Sequence, residues 1–477
     1  MTTALTSALR SRRTPPVAWT AAGLVLVGIA YVAPLVAVAV LLLVFGALFV
    51  ARRTGDAVTV LGAVVLLAFA IPSPYVFTPL GGSASPAALV ALFAFWCWCM
   101  GRIVPSLRLA TGRQPIRPVM WCFAATNVAS VAVAFARVLP ESEAKAPYRA
   151  LVATAAALGL ALLAADGIPN RARLEQLLRW ITWGAAFAGF VALLQFFSIT
   201  NLAQTLKPPG LGTVNDVVFI QTRNGLNRAA GIAAHPIELA VLLTAALPLA
   251  LFFALRDQRE GRFNVVVRWL PFALVVAAIP TTLSRTAVIG LVVFALWMLP
   301  VWSWKRRMIA VGATFGIIAL VDLVNAKVLD TIVGLFTNAS QDVSITTRQS
   351  DYANGFRIIG QSPLFGRGFK TFLPTDNFFI DNEYLIHTIE TGILGLLALV
   401  ALFLVAVGTA EGARRHAPDA DTRDLARALG AAVLVIGVTF ATFDALSFPL
   451  VTTLTFLLIG CSGALWRLVR NPAPAST

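Results

Sequence analysis

The stretch Ile386–Ala410, IHTIETGILGLLALVALFLVAVGTA, decides the fold class. After Glu390 it runs to Ala410 without a charge. Crossing the hydrocarbon layer takes about 20 mostly apolar residues. Blocks of this kind recur from end to end, over approximately 17–33, 35–51, 57–72, 87–101, 118–136, 149–165, 180–198, 236–255, 269–284, 286–302, 308–323, 386–410, 428–443 and 449–467. They predict an all-α polytopic membrane protein of about 14 transmembrane helices. The first two form a tight hairpin around Pro34, and the block after Arg10, Arg12 and Arg13 reads as a signal anchor. Composition agrees. Of 477 residues, 58% are hydrophobic and only 12% charged, with mean hydropathy +0.82. A soluble globular enzyme carries about 25% charged residues, and a disordered chain lacks the hydrophobicity, so both are excluded.

The formal charge of +15 is explained by topology. With both termini cytoplasmic, the inner segments hold 25 of the 37 Lys and Arg and 9 of the 22 acidic residues. The inner face is then +16 and the outer face −1, as the positive-inside rule requires. No nucleic-acid partner is needed. Two outer loops are long, at about 199–235 and 324–385, and most outer basic residues lie in them. The chain therefore divides into N-terminal spans (1–179), spans carrying two arginine sites (180–323), a large, partly helical extracytoplasmic loop between the eleventh and twelfth spans (324–385), and C-terminal spans with a short tail (386–477). Cys97, Cys99, Cys122 and Cys461 lie in or at the ends of apolar blocks and read as small apolar fillers, with no metal site implied.

Charge at the edge of an apolar span is expensive and marks a candidate site. Arg223 and Arg228 precede Gly231, His235, Pro236 and Glu238, where Pro236 suits the first turn of a helix. Arginines beside a positive helix N-terminus outline an anion site; the alternative is interfacial arginines that snorkel to headgroups. Arg285, in Leu283-Ser284-Arg285-Thr286, sits between two blocks with almost no loop. Its counter-ion is either a phosphate, which guanidinium binds bidentately, or a carboxylate such as Glu238 or Asp444. In the second long loop, Arg348 to Ile359 looks helical, and Ser362 to Gly368 reads as a turn. From Asn382 a helix places Glu383, His387 and Glu390 on one face, with Asp381 at or near its N-cap. Asp381 and His387 are candidate general bases; a plain cap and a hydrogen-bonded interfacial histidine are the alternatives. Two further patterns carry nothing. Asp419-Ala-Asp421 reads as a self-paired, solvated loop beside Arg414, Arg415 and Arg423. Gly368-Phe-Lys370-Thr371 lacks the spacing of a phosphate loop.

In order and in motif these residues resemble the O-antigen ligase and polymerase superfamily over roughly 180–410. Arg228-Ala-x-Gly231 to His235-Pro236 resembles its first outer-loop arginine motif, and Ser284-Arg285-Thr286 its second arginine site. Arg348, Pro363-Leu-Phe-Gly366-x-Gly368 and Asp381-Asn382-x-Tyr384-Leu385 to Glu390-x-Gly392 resemble its large outer loop and re-entry helix. The resemblance implies a bacterial plasma-membrane glycosyltransferase that needs no metal or cofactor. It would take an undecaprenyl-diphosphate-linked oligosaccharide donor and a glycan or lipid acceptor outside the membrane. Arg223, Arg228, Arg285 and Arg348 would bind the diphosphate. Asp381 or His387 would be the base, with Asn382, Tyr384, His235, Glu390, Gly366 and Gly368 in support. Ligases of the family typically have twelve spans and a histidine where this chain has Asp381, so the resemblance leans toward polymerases. With no second carboxylate expected nearby, an inverting route is favoured. A transporter or flippase is the alternative. It predicts charges near mid-span, whereas here the candidates gather at the outer edge.

Overall fold

The computed structural model describes residues 56–77, 85–103, 109–110, 112–206, 208, 211–213, 221–259, 264–337, 343–373 and 376–471, without the side chains of 258–259 and 343–351. The helices are α1 (Ala57–Ala70), α2 (Pro86–Ile103), α3 (Ile116–Phe135), α4 (Ala146–Gly167), α5 (Arg171–Phe196), α6 (Pro236–Arg259), α7 (Val265–Ala278), α8 (Arg285–Met298), α9 (Trp304–Thr337), α10 (Val343–Gln361), α11 (Glu383–Arg415), α12 (Ala420–Thr439) and α13 (Pro449–Arg470). Among the described residues ten helices are long and apolar enough to cross a membrane, and α1 and α8 are shorter apolar helices. Every expected span from 57–72 onward coincides with a helix; those at 17–33 and 35–51 lie outside the described residues. The only sheets described are two-stranded: β1 (Tyr75–Val76) with β2 (Gly212–Thr213), and β3 (Gln221–Arg223) with β4 (Leu226–Arg228), both antiparallel.

Asx residues start many of these helices. Asp56, Asn170, Asn264, Asn382 and Asp419 each accept a backbone N–H of the first turn of α1, α5, α7, α11 and α12, supplying the acceptor that a helix start lacks. The cap of α11 is thus Asn382, with Asp381 one residue outside it.

The bundle is built around α6, which packs on α5, α7, α8, α12 and α13 and whose spanning window is 94% buried. A second packed group joins α4 to α2, α3 and α13. Gly159 and Gly460 let backbones approach there: a Cβ would stand 2.3 Å from Ala91 O at the first and 2.5 Å from Ala161 O at the second. Small residues at such crossings suit a bilayer, where close packing must do what the hydrophobic effect does in water.

Two boundaries differ from expectation. The loop expected from 324 begins later, because α9 continues to Thr337. A non-helical residue, Asn325 (φ −163°, ψ 97°), separates its spanning part from a final segment that buries Val328, Thr331 and Leu335. The helix expected from Asn382 is capped by that residue and starts at Glu383, but it is broken at Gly392.

Candidate active site

The first arginines sit on a β-hairpin. Asn224 (φ 50°) and Gly225 (φ 75°) form its two-residue turn, the left-handed pair that a type I′ turn demands. Gln221 pairs with Arg228 and Arg223 with Leu226. Alternation along a strand then puts Gln221, Arg223, Leu226 and Arg228 on one face. That face meets the junction between α7 and α8. Arg223 Nη1 donates to Leu283 O (3.1 Å), and Arg228 Nε donates to Thr282 O (3.3 Å). Arg228 Nη1 also donates to Gln221 Oε1 (2.9 Å). The opposite face is pinned by Asn227 Nδ2, which donates to Ser198 Oγ (2.8 Å). Leu226, Leu283 and Val328 form a small apolar core under the hairpin, with Phe196, Val321 and Ile332 against it.

Leu283, in a left-handed conformation (φ 45°), turns the chain so that Arg285 begins α8. Arg285 Nε donates to Leu335 O (2.8 Å) on the last turn of α9. Three guanidinium groups are thereby anchored to carbonyls of one junction and of the helix packed on it. Arg228 uses two of its five N–H donors in these bonds. It lies partly buried, and burial together with Arg223 lowers its pKa to about 10.

Two buried glutamates stitch the neighbouring helix ends. The Glu238 carboxylate accepts the N–H groups of Ala234 (2.7 Å), Leu450 (2.8 Å) and Val451 (3.4 Å), tying α6 to the start of α13. Glu238 thus takes first-turn N–H groups of α13, while Ile237 N at the start of α6 is taken by His235 Nδ1. Glu383 N donates to Phe443 O (2.9 Å), while Glu383 Oε2 accepts Leu446 N (2.8 Å), tying α11 to the α12–α13 turn.

His235 and Asp381 lie between these stitches. His235 Nδ1 accepts the N–H of Ile237 (3.1 Å), so in the neutral ring Nε2 carries the proton. Burial lowers the His235 pKa to about 4, with Arg228 lowering it further and Asp381 opposing. The imidazole is neutral at pH 7 and sits within reach of both charges. Asp444, on the turn, is pushed up to about 6 by burial, with Lys370 lowering and Asp381 raising it. A second carboxylate thus stands beside Asp381, contrary to the sequence expectation. It comes from a segment distant in sequence that the Glu383 stitch brings in.

Gly392 (φ 70°, ψ −173°) breaks α11. The turn after Ser362 fills the break: Arg367 N donates to Ile389 O (3.0 Å), Gly368 N to Glu390 O (3.0 Å), Ile393 N to Pro363 O (2.8 Å) and Leu394 N to Leu364 O (3.4 Å). Unsatisfied backbone at this depth costs several kcal/mol per group, so turn and broken helix are one unit. A Cβ on Gly392 would stand 2.2 Å from Leu364 O, and one on Gly366 2.2 Å from Glu390 O. Arg367 Nη2 donates to Glu143 (2.6 Å), and Arg137 Nε to Arg367 O (2.9 Å), holding this turn to the α3–α4 connection.

His387 lies deep in the first half of α11, fully buried, stacked on Phe123 (5.7 Å) with Phe369 edge-on (5.5 Å). Neither ring nitrogen has a hydrogen-bond partner among the described residues; Glu383 Oε1 is 4.0 Å from Nδ1. Glu390 accepts Phe372 N (3.2 Å), Tyr384 donates to Gly437 O (2.5 Å), and Asn382 Nδ2 donates to Tyr352 Oη (3.2 Å) on α10.

The structure brings Arg223, Arg228, Arg285, His235 and Asp381 toward one end of the bundle and sets His387 apart in the core. The side chain of Arg348 lies outside the described residues. Three features escaped the sequence reading. The hairpin had a signal, the Asn224-Gly225 pair between short strands. Asp444 had none. Lys370, in a segment without the spacing of a phosphate loop, acts electrostatically on Glu383, Glu390 and Asp444. Asp419 caps α12 and pairs with Arg171 (3.0 Å), outside its own loop.

No curated protein matches the chain. Residues 270–400 match the family model described as O-antigen ligase. The match runs from α7 through the Arg285 junction, α9, α10 and the inserted turn to the broken α11; Arg223, Arg228 and Asp444 lie outside it. The chain is a polytopic membrane protein, and over residues 270–400 it is similar to the O-antigen ligase family.

Proposed function

We propose that this protein is an inverting, metal-independent glycosyltransferase that uses an undecaprenyl-diphosphate-linked glycan at the outer face of the bacterial plasma membrane, as a polymerase rather than a ligase. The observation that carries the reading is the convergence of Arg223, Arg228 and Arg285 on the α7–α8 junction, beside a neutral His235 and Asp381. The orientation rests on the sequence: the segments assigned to the inner face hold 25 of the 37 Lys and Arg, which makes that face the cytoplasmic one.

Arg228 and Arg285, aided by Arg223, hold the donor diphosphate, and their charge stabilises the leaving group as the sugar–phosphate bond breaks. His235 donates its Nε2–H to a donor oxygen. Asp381 takes the proton of the acceptor hydroxyl, whose oxygen forms the new bond to the anomeric carbon from the face opposite the diphosphate. The diphosphate leaves with the electron pair of the broken bond. Asp381 is preferred to His387 as base because His387 is sealed between phenyl rings, and an acceptor hydroxyl has no access to it. The lean to a polymerase rests on Asp381 replacing the histidine of ligases in the resemblance.

The test is turnover by purified protein in nanodiscs, supplied with the lipid-linked glycan that accumulates in a strain lacking it and with no ion gradient. Lengthened lipid-linked chains support a polymerase. Transfer to a lipid core instead indicates a ligase. No bond formation under any condition refutes the glycosyltransferase reading and leaves transport.

A further inference from the structure

The α12–α13 turn is held more firmly than its length requires. Phe443 O accepts two N–H groups, from Glu383 (2.9 Å) and Ala445 (3.0 Å), and Glu383 Oε2 takes Leu446 N (2.8 Å). Ser447 N donates to Asp444 O (3.0 Å), closing the turn. Phe443 is buried beneath it, and Phe448 at its end lies against the His235 ring (6.1 Å between centroids). Asp444 is therefore held on a turn tied to Glu383, two residues after Asp381, and packed against the loop that carries His235. Nothing in the glycosyl-transfer chemistry above uses it.

Its electrostatic surroundings divide the site. The charges acting on Asp444 are Lys370 and Asp381, and it acts in turn on Glu383. Those acting on His235 are Arg228 and Asp381. The arginines are anchored at the α7–α8 junction, and the carboxylates sit at the start of α11 and on the α12–α13 turn tied to it. Phosphate is drawn to the first group and repelled from the second. A sugar hydroxyl is neutral and donates, and a carboxylate offers about four acceptor positions. Two carboxylates kept close repel each other, and hydroxyl donors from a ligand relieve that repulsion.

We infer that Asp444 is an acceptor-binding residue, whose carboxylate takes hydroxyl groups of the incoming sugar and aims the attacking hydroxyl at Asp381. This rests on the glycosyltransferase reading. Asp444 forms no bond to the anomeric carbon in this scheme, because the carbon bound to the diphosphate lies on the arginine side.

The experiment separates the two halves of the site. The full-length protein in nanodiscs is titrated with two probes. One is undecaprenyl diphosphate without sugar. The other is the free oligosaccharide released by mild acid from the lipid-linked glycan of a strain lacking the protein. Asp444→Asn is expected to weaken oligosaccharide binding at least tenfold, with undecaprenyl diphosphate binding changed less than twofold, and Asp444→Glu to recover part of the loss. Arg228→Ala is expected to do the reverse. Oligosaccharide binding by Asp444→Asn at the wild-type level overturns the inference, and so does equal loss of both probes, which marks Asp444 as structural. If the first of these occurs while Arg228→Ala still loses the diphosphate probe, only the acceptor role fails. If wild type and Arg228→Ala bind the diphosphate probe equally, the underlying reading fails.

Discussion

Two sets of arginines in the bundle are held differently. At the end predicted to face the cytoplasm, guanidinium meets carboxylate from another element: Arg117 with Asp166 (2.8 Å), Arg173 with Asp56 (2.5 Å), Arg179 with Asp257 (2.5 Å) and Arg171 with Asp419 (3.0 Å). At the other end Arg223, Arg228 and Arg285 donate to main-chain carbonyls. Two of the buried carboxylates there, Glu238 and Glu383, accept main-chain N–H groups. Positioning by backbone leaves the charge of Arg228 without a carboxylate partner among the described residues, available to an anion. Pairing by side chain neutralises it and locks helices together. The arginine end uses both devices, since Arg137 and Arg367 pair with Glu143 there, and Arg228 differs from them in its main-chain anchor.

The sharpest test of this contrast pairs Arg228→Ala with Arg179→Ala. Removing Arg228 or Arg285 is expected to lower product formation by at least about a thousandfold, because each supplies stabilisation where charge develops, while folded protein in the membrane stays near wild type. Removing Arg179 leaves Asp257 buried and unpaired, a change that costs about 3–5 kcal/mol. That variant is expected to yield less protein and a lower unfolding temperature, with normal turnover per folded molecule. Size-exclusion yield beside specific activity reads both.

Next comes Gly392→Ala. A left-handed backbone at a residue with a side chain costs about 1–3 kcal/mol, and here the Cβ also strikes the Leu364 carbonyl. The variant is expected to lose most of its folded protein, seen as aggregation on solubilisation. Recovery of normal yield breaks the account of the inserted turn.

Asp381→Asn is expected to cut kcat by about 10²–10⁴ with little change in the KM for donor, the range for loss of a general base. His387→Phe keeps an aromatic ring between Phe123 and Phe369 and is expected to change kcat less than about threefold. The reverse pattern transfers the base to His387.

The smallest effect concerns pH. Asp444 takes up a proton as pH falls through about 6, with Lys370, Asp381 and Glu383 the titratable groups around it. A protonated carboxyl accepts fewer hydroxyls, so the KM for acceptor is expected to rise severalfold between pH 7 and pH 5. In Asp444→Asn this dependence disappears; persistence of the same rise assigns it to another group.

The membrane architecture was legible because spanning a bilayer imposes a length and a composition that survive any detail of packing. The arginines were legible because charge beside an apolar span is rare and expensive. The hairpin has a local signal as well, since Asn224-Gly225 announces a two-residue turn between short strands. Other features had no local signal. Asp444 gains its meaning only when Glu383 pulls the α12–α13 turn onto α11. Lys370 and the break at Gly392 depend on a turn threading into a helix some thirty residues away in sequence, and sequence periodicity reports only neighbours on one element. The histidine expected as a possible base illustrates the same limit: its place on the same face as Glu383 and Glu390 was readable, but its enclosure by Phe123 and Phe369 was not.

The central claim is that guanidinium groups at the arginine end hold a polyprenyl diphosphate. The most direct measurement is the affinity of the purified protein in nanodiscs for undecaprenyl diphosphate, compared between wild type, Arg228→Ala/Arg285→Ala and Arg179→Ala. Saturable binding is predicted for wild type and for folded Arg179→Ala, with at least a hundredfold loss in the double variant. Equal affinity in all three would contradict the account.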